Sequence, residues 1–183
     1  MTPDRLPCAG AGADRSGRKL RMMLAVLAAT IVLIGLDRWT KQLAAVHLSD
    51  GRRISLLDNL VILVYAENRG AFLSLGNSFG PAVWWIVLVV LPIAVILAVT
   101  VYMIGKKNMT VSDAAALVLL VSGGAGNLID RIRYGKVVDF LNFGIGPVFR
   151  TGILNAADLY IFFLLILLVV RQVRKNPADR EDT

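Results

Sequence analysis

Between Arg69 and Lys106 the chain carries no charged side chain, and residues 82–104 within that stretch are almost wholly apolar. As a helix those residues extend roughly 35 Å, enough to cross the hydrocarbon core of a bilayer. A soluble domain buries only one face of each helix and does not require such a run. Three more apolar runs follow, at 22–36, 114–129 and about 153–170. The chain is therefore expected to be a membrane α-helical protein with four transmembrane helices. Composition agrees, since 56% of the 183 residues are hydrophobic and only 18% charged. The first run follows a basic leader, which raises a cleaved signal peptide as an alternative. No small-x-small cleavage site comes after it, so a retained helix is expected.

The net charge of +7 gathers at the ends of the apolar runs, where anionic lipid headgroups lie. No basic stripe interleaved with aromatics crosses a polar domain, and nucleic acid is set aside as a partner. Arg5, Arg15, Arg18, Lys19 and Arg21 precede run one, Lys106 and Lys107 join runs two and three, and Arg171, Arg174, Lys175 and Arg180 follow run four. The positive-inside tendency then puts both termini in the cytoplasm, with Trp39, Trp84 and Trp85 at the outer interface. Residues 1–20 are expected to be a disordered cytoplasmic leader, 21–174 the membrane domain and 175–183 a cytoplasmic tail. Within the first external connection, Arg53–Leu57 and Leu60–Tyr65 are expected as short strands around Asp58-Asn59, forming a β-rich cradle at about 42–80. The lone Cys8 has no disulfide partner, and His47 has none at metal-ligand spacing. Neither a metal nor another cofactor is expected.

The remaining polar residues sit where lipid makes them costly. Asp37 ends run one, with Lys41 one turn on and Arg38 adjacent. That pattern fits an interfacial salt bridge as well as a site role. Asn127 and Asp130 share a helix face at the end of run three, where Asp130 requires a partner such as Arg131 or a donor from elsewhere in the chain. Gly123, Gly124 and Gly126 before them allow a neighbouring helix to approach closely. Asn155 and Asp158 resemble an N-cap with an acid in the first turn, which favours an ionised Asp158. Asp139 stands between Val137-Val138 and Phe140-Leu141, where an unpaired carboxylate is expensive. If Asp139 and Asp158 converge across the short loop between them, one shared proton resolves their repulsion. One carboxylate then activates water and the other polarises a carbonyl. Ion- or proton-coupled transport and a purely structural membrane subunit are the competing readings.

Taken in order, Asp37-x-x-x-Lys41, Asn68-x-Gly70-Ala71, GGAGNLIDR at 123–131, VVDF at 137–140 and NAAD at 155–158 resemble the lipoprotein signal peptidases, or signal peptidase II. The resemblance implies four helices with an external β cradle, and Asp139 and Asp158 as the catalytic pair. It implies supporting roles for Asp37, Lys41, Asn68, Gly70, Asn127, Asp130, Arg131 and Asn155. It also implies an aspartic endopeptidase of the bacterial inner membrane that works near its outer face; a monomer is expected. Its substrates would be prolipoproteins, cut just before a diacylglyceryl-modified cysteine, with the first external connection lying over the site. Residues 68–74 read NRGAFLS where the family often reads NTGAAFS, so Leu73 occupies the usual aromatic position.

Overall fold

A computed structural model describes residues 10–70, 79–145 and 149–175. Four helices follow the apolar runs: α1 (Gly10–Leu48), α2 (Pro81–Gly105), α3 (Val111–Tyr134) and α4 (Ala156–Lys175). Each has a segment long and apolar enough to span a bilayer, beginning at Ser16 in α1. Inside α2, Ile86–Val90 form a π turn just before Pro92. Proline offers no N–H to the carbonyl of Leu88, and a wider turn is one way for a helix to absorb that loss.

Local chemistry sets the helix ends. Before α3 the Thr110 hydroxyl accepts the Asp113 N–H at 3.1 Å, while the Asp113 carboxylate accepts the Thr110 N–H at 3.0 Å. This capping box begins the helix at Val111, three residues ahead of the apolar run read from sequence. Gly135 ends α3 at φ +65°, a left-handed conformation that glycine adopts without a Cβ penalty.

Four strands form one antiparallel sheet in the order β1 (Arg53–Leu56), β2 (Val61–Asn68), β3 (Val137–Ile145) and β4 (Phe149–Leu154). The first hairpin matches expectation. The second corrects it, because the segment carrying Asp139 is a strand and not a loop. VVDFLNFGI is apolar on both faces and shows little alternation, so its period hides its state. The expected cradle at about 42–80 is corrected as well: α1 continues to Leu48, and half of the sheet comes from 137–154. In the middle, Ala66 of β2 pairs with Asp139 of β3, and Asn68 with Val137.

Two further expectations change. Asp37 ends the apolar run but not the helix, since α1 continues past it to Leu48, so no helix-end dipole acts on its carboxylate. Helix α1 also begins at Gly10, inside the segment expected to be a disordered leader. Residues 1–9, Ala71, the Phe72-Leu73 pair and the tail from 176 onward lie outside the described residues.

The glycine cluster does bring the helices together. A Cβ on Gly123 would stand 2.8 Å from the Ala157 carbonyl oxygen, and one on Gly126 would stand 2.8 Å from Asp37 Oδ2 and 2.9 Å from Ala157 Cβ. Gly126→Ala gains about 1 kcal/mol of helix propensity. It also pushes α3 off two neighbours, one of them a carboxylate held in an ion network. Overpacking of this kind costs about 1–3 kcal/mol, so the variant is expected to unfold at lower temperature than the parent. Thermal unfolding in detergent checks this.

Candidate active site

The polar residues singled out by sequence meet where α1, α3, the start of α4 and the β2–β3 edge come together. At the base, Asp37 and Asp130 are buried between α1 and α3. Lys41 Nζ lies 2.9 Å from an oxygen of each and donates to Asn127 Oδ1 at 3.0 Å. That uses all three ammonium protons. Arg38 binds both Asp130 oxygens, and donates to Asp37 at 2.9 Å and to the Gly126 carbonyl at 3.0 Å. The second Asp37 oxygen accepts the backbone N–H of Ala157 at 3.0 Å, tying α4 to α1. Two acids and two bases thus neutralise each other in a low-dielectric setting.

Asp130 therefore takes its partners from elsewhere in the chain, Arg38 and Lys41 of α1, and not the adjacent Arg131. Arg131 instead donates to the Gly70 carbonyl at 3.0 Å. Arg38 was noted only as a neighbour of Asp37. Its signal was the shortage of cations: two buried carboxylates required more than Lys41.

From this base the order passes to the two aspartates through asparagines. The Asn127 oxygen accepts Lys41, so its amide faces Asp158 and donates to Oδ1 at 2.8 Å. Asn155 caps α4: its Oδ1 accepts the Asp158 N–H at 3.0 Å, and its own N–H donates to Asp158 Oδ2 at 3.0 Å. This is the capping arrangement read from sequence. The same side chain donates to Asp139 Oδ1 at 2.6 Å, and Asn68 donates to Asp139 Oδ2 at 3.1 Å. Asn155 thus joins both carboxylates, one on a strand and one on a helix. Gly70 N–H in turn donates to Asn68 Oδ1 at 2.9 Å.

Asp139 and Asp158 line one cavity of about 20 Å³, together with Asn68, Asn127, Arg131 and Asn155. That is room for about one water molecule. The Nε of Arg131 is buried there and has no hydrogen-bond partner among the described residues. A wider apolar groove of about 720 Å³ opens between the β3–β4 hairpin and α4, and it shares Leu154 and Asp158 with the small cavity. Among the described residues no cluster of His, Cys, Asp or Glu has the makings of a metal site.

Burial first, and the neighbouring Asp158 second, push the Asp139 carboxyl up to about 6. A carboxyl raised in the folded state favours folding while it is protonated. Its contribution is complete below the ordinary carboxylate range and is lost as pH rises through about 6. Melting temperatures recorded from about pH 4 to pH 7 are expected to fall for the parent relative to Asp139→Asn, which lacks this titration.

A family model described as signal peptidase II matches residues 29–174. The lipoprotein signal peptidase of Pelodictyon phaeoclathratiforme is 36% identical over 157 residues, covering 81% of this chain and 90% of that protein. The protein of the same name from Bifidobacterium longum subsp. infantis is 34% identical over 177 residues, covering 92% of this chain and 89% of that one. Among solved structures, a bacterial membrane enzyme determined by the in meso method at 2.3 Å superposes with a TM-score of 0.73 at 22% identity. The match spans 87% of this chain and 93% of that one, and it supports the fold.

Proposed function

The chain belongs to the signal peptidase II family, a multi-pass membrane peptidase lineage, and from that premise we propose that Asp139 and Asp158 form its catalytic pair. In this reading the protein removes signal peptides from prolipoproteins and cuts just before a cysteine that bears a diacylglyceryl group. The observation that carries it is the bridge through Asn155, whose side-chain amide donates to the strand carboxylate of Asp139 and whose backbone N–H donates to the helix carboxylate of Asp158, both on one water-sized cavity.

Asp158, at the helix N-terminus where the dipole favours an anion, takes a proton from water as the water oxygen attacks the scissile carbonyl. Asp139, the carboxyl raised by burial, gives its proton to the carbonyl oxygen. When the tetrahedral intermediate collapses, the proton held by Asp158 passes to the departing amine and the hydroxyl proton returns to Asp139. The two carboxyls titrate as a coupled pair throughout. No side-chain nucleophile is required. The free Nε of Arg131 suits a substrate carbonyl, whose hydrogen bond finds no water in lipid.

The apolar groove that meets Asp158 suits the acyl chains of the modified cysteine, because chains lying there bring the adjoining peptide bond to the carboxylates. The protein acts alone in this reading, with both termini in the cytoplasm and the site near the outer face of the inner membrane. Transport across the bilayer calls for polar groups at mid-depth, whereas these gather at the sheet end of the helices.

The test is to incubate detergent-purified protein with a diacylglyceryl-modified precursor and with the same precursor unmodified, then determine product masses. One cut before the cysteine, made at least about a hundredfold faster on the modified precursor, is expected on binding grounds. Equal rates on the two precursors, or cuts elsewhere, contradict the reading.

A further inference from the structure

The end of the bundle away from the aspartates holds cations that its ion pairs leave over. Among the described side chains there, the one carboxylate is Asp113, and Lys106 and Arg171 already bind it at 2.7 and 2.9 Å. Arg18 and Lys19 of α1 and Lys107 of the α2–α3 turn ring the mouth of a shallow cleft of only about 10 Å³, with Asn108 beside them, so an anion held by them rests on its mouth and not inside it. None of the three cations has an ion-pair partner among the described residues. Among the described residues Lys19 donates only to the Ile104 carbonyl, at 2.5 Å. Met22 and Met109 also line the cleft, and Met109 is buried in an apolar cluster with Val26 and Leu117. A rim of like charges over an apolar floor is unfavourable when empty of counter-charge, and it suits an anion that carries hydrocarbon.

Depth along the bundle identifies the source. Lys19 precedes Asp37 on one continuous helix by a rise of about 27 Å, close to the thickness of the hydrocarbon core. The cleft therefore lies at headgroup level in the leaflet opposite the catalytic one. Basic pockets between transmembrane helices take phosphate-bearing lipid heads. We propose that Arg18, Lys19 and Lys107 bind the phosphate of an anionic phospholipid of that leaflet, which clamps α1 to the α2–α3 turn. Because α1 also carries Arg38 and Lys41, the lipid steadies the helix on which the ion network under the aspartates is built. This inference is independent of the peptidase reading.

The test uses full-length protein in neutral detergent, titrated with phosphatidylglycerol or with phosphatidylcholine. Native mass spectrometry reads retained lipid, and thermal unfolding reads its effect. Phosphatidylglycerol is expected to be retained roughly tenfold more than phosphatidylcholine and to raise the melting temperature. Lys107→Gln alone, on an exposed turn, is expected to weaken this preference, and Arg18→Gln/Lys19→Gln/Lys107→Gln to remove it. The control Arg21→Gln/Arg174→Gln, which removes two charges outside the cleft, is expected to keep it. Equal retention of the two lipids overturns the proposal, as does equal loss in the control. Full reproduction of the shift by inorganic phosphate identifies a free-anion site and overturns the lipid assignment.

Discussion

Asp139→Asn and Asp158→Asn each lower kcat on a lipidated precursor by roughly a thousandfold or more, while the chain stays folded. The substitution keeps the shape of each side chain and removes its ability to hold or release the working proton. At position 139 the amide oxygen can still accept from Asn155, but its NH2 then faces the Asn68 amide, also a donor. One hydrogen bond is lost or turned, at a cost of about 1 kcal/mol. Against that loss stands relief from burying a carboxylate beside a second one, so the net change in stability is small. A variant that is inactive and melts near the parent supports a chemical role. One that retains activity within a few-fold dismisses the dyad.

Lys41→Met is expected to destabilise the protein by about 3–5 kcal/mol, because it leaves Asp37 and Asp130 buried with only Arg38 between them. The size of this effect separates the two meanings of the Asp37–Lys41 spacing. An exposed i, i+4 pair at a membrane edge contributes at most about 1 kcal/mol. Here the lysine is almost completely buried and also orients Asn127, which donates to Asp158. Activity should therefore fall as well. A partial rescue is expected from Lys41→Met combined with Asp130→Leu, which removes the buried charge imbalance. Unfolding in detergent for the two single variants and the double, analysed as a cycle, gives the coupling directly.

The helices were legible because a bilayer forces long uninterrupted apolar runs, and the four spans were placed on that signal alone. Their ends were less legible. α1 runs through Asp37, Arg38 and Lys41, charges that look like a stop until their partners on α3 are known. The second hairpin is less legible for a related reason: VVDFLNFGI shows no alternation and, unlike the first pair of apolar stretches, has no Asp-Asn turn inside a long polar connection to set it off. In the site, the placement of polar residues at the ends of the apolar runs pointed to both aspartates, Asn127 and Asn155, and the family resemblance added Asn68. Their connectivity was not readable, since it depends on α3 lying close to α1 and α4. That closeness comes from Gly123 and Gly126, whose packing role was visible, but not the identity of the neighbours. Arg38 illustrates the limit, being an ordinary interfacial arginine in sequence and the bridge between two buried acids in space.

The central claim is that Asp139 and Asp158 work as one unit that holds a single proton. The most direct measurement is kcat/KM on a lipidated precursor across about pH 4 to 8, at constant ionic strength and detergent. A bell is predicted. Its acid limb rises as the pair loses its first proton, and its alkaline limb descends near 6 as the second, kept by the buried carboxyl, departs. A profile that is flat over this range, or that climbs without an alkaline fall, contradicts a shared proton between these two side chains.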